Sequence, residues 1–161
     1  MKRIDISTSK HPNTFTMVDD ADYVWLADGS RWFAAEKRNK IYAVRGVFRD
    51  GKKTTEKMHR VIIQSPPGFE VDHRNGDGLD NQRDNLRICT VNQNQYNRGP
   101  QKNNTSGYKG VSFSKRNKKW RADIKFNMRK ISLGYFTSAK EAANAYALAA
   151  VSLHGEFARL V

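Results

Sequence analysis

Residues 70–97 read EVDHRNGDGLDNQRDNLRICTVNQNQYN, and this polar stretch constrains the fold more than any other part of the chain. It contains one His next to an Asp, two glycines and six asparagines. Asn and Gly are unfavourable inside helices and strands, and they favour turns. The stretch therefore predicts a structured polar loop set between short strands and a helix, rather than a segment of hydrophobic core.

Basic residues are distributed unevenly along the 161-residue chain, whose formal net charge is +13. Residues 1–98 carry 17 Lys and Arg against 13 Asp and Glu, whereas residues 99–161 carry 12 against 3. An acid-poor basic segment is typical of a nucleic-acid-binding module. A solubilising surface or a contact with RNA or membrane lipids would give the same composition, so charge alone leaves these alternatives open.

No apolar run approaches the roughly 20 residues that a membrane helix needs. The N-terminal sequence MKRIDISTSK lacks the apolar core of a signal peptide, and we therefore expect a cytoplasmic protein with no membrane partner. Cys89 is the only cysteine, which excludes a disulfide within the chain and a Cys-rich zinc site. We expect it to be a small buried hydrophobic residue.

The pattern of apolar runs and turns predicts an α+β fold with a β-rich N-terminal part. Dipeptides Asp28-Gly29 and Asp50-Gly51 follow apolar runs and predict hairpin turns. The expected parts are a β-rich N-terminal region at 1–57, a ββα element at 58–98, a linker at 99–107, and a C-terminal sheet with one helix at 108–161.

The C-terminal part is expected to form three antiparallel strands at 108–114, 119–126 and 129–136. In the second strand Trp120, Ala122, Ile124 and Phe126 alternate with Arg121, Asp123 and Lys125, which predicts one apolar and one basic face. In the third strand the same alternation sets Ile131, Leu133 and Tyr135 against Lys130, Ser132 and Gly134.

A helix is expected to follow the third strand and to cover the apolar face of the sheet. Ser138 and Glu141 form a capping-box sequence, and the helix should end near His154-Gly155. The basic face would remain open, and a three-stranded sheet of this kind can enter the major groove of DNA.

Within residues 70–97, two strands and a helix start would bring Asp72, His73 and Asn94 together. Carboxylate and amide oxygens suit a hard ion such as magnesium, which also binds phosphate. A neutral imidazole near pH 7 is a good general base for activating water. The residues alone leave open a simpler interpretation, in which His73 is a surface residue beside Asx turns.

The run from Asp72 to Arg87, followed by Asn92-Gln-Asn94, resembles the HNH endonucleases, and most closely their phage and intron homing type. This resemblance implies a ββα element that binds one divalent ion. It implies that His73 is the general base, that Asp72 and Asn94 are metal ligands, and that Asn85 is the central Asn of the motif and part of the catalytic group. His59 also occurs in this subgroup's pattern, either near the phosphate or as a packed structural residue.

Residues 106–161 resemble the DNA-binding domain of the plant APETALA and ethylene-response-factor family. The resemblance rests on Tyr108-Lys-Gly-Val111, Trp120 to Ile124, Leu133 to Phe136, Glu141 to Tyr146 and Gly155 to Leu160. It implies DNA contacts from Lys109, Ser112, Ser114, Arg121, Lys125, Lys130 and Ser132. Ser112, Ser114 and Ser132 stand where the plant pattern favours Arg or Trp, so the plant target sequence is not carried over.

Taken together, the sequence predicts a metal-dependent DNA endonuclease of homing type that uses magnesium, with manganese as an alternative, on double-stranded DNA. The oligomeric state is left open. One alternative is a DNA-binding protein whose HNH element is purely structural. Another is an RNA-binding module, but the expected burial of Trp120 leaves no aromatic platform for stacking single-stranded bases.

Overall fold

The computed structural model describes residues 1–29, 31–37 and 39–160. The chain forms two compact units, of which the first covers Met1–Thr90 and the second begins at Val91. The predicted division at residues 57, 98 and 107 stays a prediction. Within the described residues, none of the helices combines the length and apolar composition required to cross a bilayer.

The first unit contains three small antiparallel sheets, in the order β1-β2, β3-β4-β5 and β6-β7. Its elements are β1 (Lys2–Asp5), β2 (Phe15–Val18), α1 (Asp20–Leu26), β3 (Phe33–Lys37), β4 (Lys40–Arg49), β5 (Lys52–Lys57), α2 (Met58–Ile63), β6 (Glu70–His73), a 3-10 turn (Arg83–Asn85) and β7 (Leu86–Cys89). One apolar core joins them, and it includes Ile6, Val18, Leu26, Met58, Ile62, Val71 and Leu86.

Of the two predicted hairpin turns, one is confirmed and one was wrong. Asp50 and Gly51 join β4 to β5, and both have positive φ angles (50° and 72°), as the tight turn of a hairpin requires. Around Asp28-Gly29, by contrast, the predicted β structure is replaced by helix α1 over Asp20–Leu26. Two acidic residues in its first turn favour a helix, because they interact with the positive end of the helix dipole.

The expected behaviour of Cys89 is confirmed. The side chain is 1% exposed at the end of β7. Burial raises the pKa of its thiol to about 12, so this cysteine is neutral and unreactive at physiological pH.

The second unit is a three-stranded antiparallel sheet covered by one long helix, which confirms the predicted α+β class. Its elements are α3 (Val91–Tyr96), β8 (Val111–Ser114), β9 (Lys119–Phe126), β10 (Arg129–Phe136), α4 (Ala139–His154) and a 3-10 turn (Gly155–Phe157). Ala142, Tyr146 and Ala150 of α4 pack on the sheet, where small side chains allow close approach. As the capping box predicts, the Ser138 hydroxyl accepts a hydrogen bond from the Glu141 amide at 3.1 Å.

A β-bulge in β10 changes which of its residues share a face. Ser132 pairs with Asp123 and Gly134 pairs with Ala122, so Leu133 is the extra residue. Tyr135 therefore pairs with Arg121 on the outer face, and the prediction that it shares the face of Ile131 and Leu133 was wrong. Gly134 has a φ of 118°, which only glycine adopts without strain, and this permits the bulge.

Candidate active site and nucleic-acid interface

Asp72 and His73 lie side by side at the end of β6, and their side chains point to opposite faces. In the antiparallel register Asp72 pairs with Arg87 and His73 pairs with Leu86 of β7. Successive side chains of a strand alternate between faces, so His73 shares the face of Val71, which packs in the core. Both Asp72 and His73 are 6% exposed.

The Asp72 carboxylate is held by a buried ion pair. Arg87 donates two hydrogen bonds to Oδ2 of Asp72, from Nε at 3.0 Å and from a terminal guanidinium nitrogen at 2.8 Å. Both side chains are 7% exposed. The pair fixes the orientation of a carboxylate that would otherwise be a costly isolated buried charge.

The His73 ring packs in an aromatic cluster with His59 and Tyr42. The His59 and His73 ring centroids are 4.8 Å apart in an edge-to-face arrangement, and Tyr42 lies 5.7 Å from His59 and 6.1 Å from His73. Burial is the main cause that lowers the pKa of His59, to about 2, and burial also lowers the pKa of His73. Both imidazoles are therefore neutral near pH 7, and His59 is a packed residue beside the candidate base.

A buried side chain that the sequence did not single out, Asn81, contacts His73, and Asn81 in turn contacts the buried Thr16. Nε2 of His73 lies 3.3 Å from Oδ1 of Asn81, and Nδ2 of Asn81 donates to the Thr16 hydroxyl at 2.7 Å. Asn81 and Thr16 are both fully buried. Thr16 belongs to β2, so the N-terminal region contributes to the surroundings of His73.

Asn85 holds the polar loop that follows His73 in place by hydrogen bonds. Its side-chain amide donates to Oδ1 of Asn75 at 3.1 Å and to the Asp80 carbonyl at 2.8 Å, and its Oδ1 accepts from the Asn75 amide at 3.0 Å. The Asn85 carbonyl accepts from the amide of Arg74 at 2.8 Å. These contacts explain the abundance of Asn and Asp, because short polar side chains satisfy the loop backbone where no regular ladder does.

Asn94 lies in α3, which belongs to the second unit. Tyr96 anchors this helix within that unit. Its ring stacks on His154 with centroids 3.9 Å apart, its hydroxyl accepts from the Asn127 amide at 3.1 Å, and its carbonyl accepts from the Lys109 ammonium. Burial lowers the pKa of Lys109 to about 8.

Six of the seven predicted DNA-contacting residues share the outer face of the C-terminal sheet, as the register of the strands requires. They are Ser112, Ser114, Arg121, Lys125, Lys130 and Ser132. The seventh, Lys109, directs its ammonium to Tyr96 instead.

Two further residues modify this outer face: Asp123, which the alternation in β9 already placed there, and Tyr135, which the alternation in β10 did not. Asp123 binds Arg121 at 2.7 Å and Lys130 at 3.0 Å, and it thereby neutralises part of the positive charge. Tyr135 is 46% exposed and adds an aromatic ring next to Arg121. The bulge that places it there has no signal in the simple alternation of the strand.

Among the described residues, no group of three or more His, Cys, Asp or Glu side chains is arranged to hold a metal ion. The predicted ligands include only one such residue, Asp72, together with the amide of Asn94. The chemistry of these donors nevertheless fits a hard divalent ion, which prefers oxygen ligands and keeps several waters. The hydrogen bonds from Arg87 also fit this role, since carboxylates that bind metals are commonly oriented by such neighbours.

Comparison with known proteins agrees with this local geometry. Residues 56–96 match the family model described as HNH endonuclease, so this segment is an HNH endonuclease-family domain. Protein 3.8 of Escherichia phage T7 is 41% identical to this chain over 59 residues, which is 37% of this chain and 49% of the phage protein. The chain thus spans about half the length of that relative. No solved structure matches the chain.

Proposed function

We propose that this protein is a metal-dependent DNA endonuclease in which the HNH element hydrolyses phosphodiester bonds. The observation that carries the proposal is the position of His73. It is a neutral, fixed imidazole next to a carboxylate, on strand β6 within the segment that matches the HNH endonuclease model. A divalent ion is typical of this family, and magnesium suits the oxygen donors, with manganese as the alternative.

In the proposed reaction His73 is the general base. It removes a proton from a water molecule, whose oxygen forms the new bond to phosphorus while the bond to the leaving oxygen breaks. Asp72 and Asn94 would hold the divalent ion. When bound, that ion supplies positive charge that stabilises the phosphate and the leaving oxygen. Asn85 holds the loop that follows His73 and so keeps the end of β6 in place.

The outer face of the C-terminal sheet is the proposed DNA-reading surface. Arg121, Lys125 and Lys130 would contact phosphates and base edges, with Ser112, Ser114 and Ser132 between them. Lys109 belongs to the proposed set through its place next to β8. The likeness to the APETALA family supports this division of labour, in which one unit selects the site and the HNH element cuts it. A homing-type activity in the cytoplasm of a host cell is the proposed setting.

The test is a cleavage assay with magnesium, manganese or EDTA on supercoiled plasmid and on genomic DNA from the source. His73→Gln is the inactivating variant and His11→Gln is the matched control, since His11 lies outside the site. We expect conversion to nicked or linear DNA that requires a divalent ion, is lost in His73→Gln and is retained in His11→Gln.

The possible outcomes separate the proposed functions. Equal cleavage by wild type and His73→Gln would contradict the catalytic role. Tight binding of duplex DNA without strand breaks in any metal would favour a DNA-binding protein with a structural HNH element. Preference for single-stranded RNA over duplex DNA would favour an RNA-binding module.

A further inference from the structure

The hydroxyl of Thr16 has one hydrogen, and the fold assigns it to a carbonyl. Thr16 Oγ1 donates to the Leu79 carbonyl at 2.7 Å. A carbonyl oxygen can only accept, so the hydroxyl must be the donor of this bond. The hydroxyl oxygen is then left as an acceptor towards any second polar neighbour.

That second neighbour is the side-chain amide of Asn81. It lies 2.7 Å from Thr16 Oγ1, and because the hydroxyl hydrogen is already directed to Leu79, Asn81 must donate here. The amide nitrogen Nδ2 therefore faces Thr16 and the oxygen Oδ1 faces away from it. The hydrogen-bond network thus fixes the orientation of this amide, which its shape alone leaves ambiguous.

Oδ1 of Asn81 faces Nε2 of His73 at 3.3 Å. An amide oxygen can only accept, so Nε2 must carry the hydrogen of the neutral ring. In a neutral imidazole the other nitrogen, Nδ1, then holds the lone pair.

We propose that Thr16 and Asn81 are positioning residues that lock His73 in the tautomer with hydrogen on Nε2, so that Nδ1 is the atom that accepts the proton from water. This inference rests on the proposed function of His73 as the base. It gives the N-terminal region a defined part in the reaction, because Thr16 lies outside the segment that matches the HNH model.

The backbone keeps this arrangement in place independently of the two side chains. The Met17 amide donates to the Leu79 carbonyl and the Asn81 amide donates to the Met17 carbonyl, both at 2.8 Å. A change confined to the Thr16 hydroxyl should therefore leave the loop attached to β2. Thr16→Val removes only the hydroxyl function, and Thr16→Ser retains it.

The experiment is long-range ¹H–¹⁵N NMR of the full chain without DNA, with the His73 signals assigned by their loss in His73→Gln. We expect a protonated Nε2 and an unprotonated Nδ1 in wild type, in Thr16→Ser and in the exposed control Thr54→Val. In Thr16→Val the Asn81 amide loses its fixed orientation, and the His73 signals should move to averaged values. The same variant should cleave DNA roughly 10- to 100-fold more slowly, because a small misplacement of a catalytic group can cost about 10²-fold in rate.

Two results would overturn the inference: a proton on Nδ1 of His73 in wild type, or an unchanged tautomer and rate in Thr16→Val. If Thr16→Val does not fold, the wild-type tautomer still decides the matter. Failure of the proposed function is distinguishable, because wild type would then show no cleavage while the NMR spectrum still reports the tautomer.

Discussion

Arg87 holds Asp72 by two hydrogen bonds to a single carboxylate oxygen, in a pair from which water is largely excluded. The residue pair joins β6 to β7 directly beside His73. It therefore has two consequences. It stabilises the hairpin that carries the candidate base, and it sets the direction of the carboxylate that is proposed to bind the metal.

Replacing Arg87 by Met should be strongly destabilising. Removal of one partner leaves the Asp72 charge buried without compensation, which costs about 3–5 kcal/mol of unfolding free energy. Urea unfolding of Arg87→Met and of the exposed control Arg31→Met measures the difference. The control should change stability by less than about 0.5 kcal/mol. Equal stabilities for the two variants would contradict the structural importance of the pair.

Gly78 is expected to tolerate no side chain. A Cβ at this position would lie 2.4 Å from the Ile41 carbonyl and 2.8 Å from the Tyr42 ring, so either the loop or β4 must move. Gly78→Ala should therefore lower the melting temperature and reduce cleavage, because Tyr42 packs on His73. Gly46→Ala is the control, since its nearest contact would be an ordinary 3.8 Å. Wild-type behaviour of Gly78→Ala would show that this close approach is unimportant.

His59 should make the protein sensitive to acid. Its pKa is about 2 in the folded protein and 6.5 in the reference state, mainly because of burial. The unfolded chain thus binds an extra proton as the pH falls below 6.5, so the stabilisation present above 6.5 is lost progressively towards pH 2. Through this group, the free energy of unfolding should change by up to about 1.4 kcal/mol per pH unit.

The comparison for this prediction is His59→Phe, which retains an aromatic ring but cannot titrate. Urea unfolding between pH 4 and pH 7 gives the free energy of unfolding at each pH. This free energy should depend less steeply on pH in the variant, by an amount that corresponds to the uptake of about one proton on unfolding. His73 is present in both proteins, so the difference in slope reports mainly on the titration of His59. Identical pH slopes in wild type and His59→Phe would contradict the burial of a neutral His59.

Arg121 and Asn94 should affect different steps. Arg121→Ala removes a proposed base-edge contact and should reduce discrimination between cognate and random DNA by roughly 10-fold or more. Asn94→Ala should slow cleavage while leaving binding nearly intact. Lys140→Met on α4, away from the sheet's outer face, is the control for a lost positive charge. DNA discrimination and cleavage rate are measured for each variant. Equal loss of both in Arg121→Ala and in Asn94→Ala would contradict the proposal that different residues select the site and cut it.

Much of the fold could be predicted because local patterns and packing agree. The alternation in β9 places Ala122 and Ile124 in the core, and the Ser138 cap marks the start of α4. Helix α1 was missed because its apolar residues also suit a strand. The position of Tyr135 on the outer face was not predicted, because one inserted residue in β10 reverses the alternation of its side chains. A period-two pattern gives no signal for such an insertion.

Only part of the candidate site could be predicted from the sequence, and the reason is physical. Asp72, His73 and Asn85 lie in a short polar segment whose chemistry is visible in sequence. Thr16 acts through a contact between elements that are far apart along the chain, since 65 residues separate it from Asn81. Nothing in the local sequence of β2 distinguishes Thr16 from an ordinary strand residue.

His73 is proposed to be the base of a metal-dependent DNA cleavage reaction. The most direct test is the single-turnover cleavage rate of wild type and His73→Gln on the same bound DNA, with magnesium and with EDTA. We predict a rate about 10²–10⁴ lower in His73→Gln at unchanged DNA affinity, and no cleavage by either protein in EDTA. Equal rates in the two proteins, or cleavage that persists in EDTA, would contradict the claim.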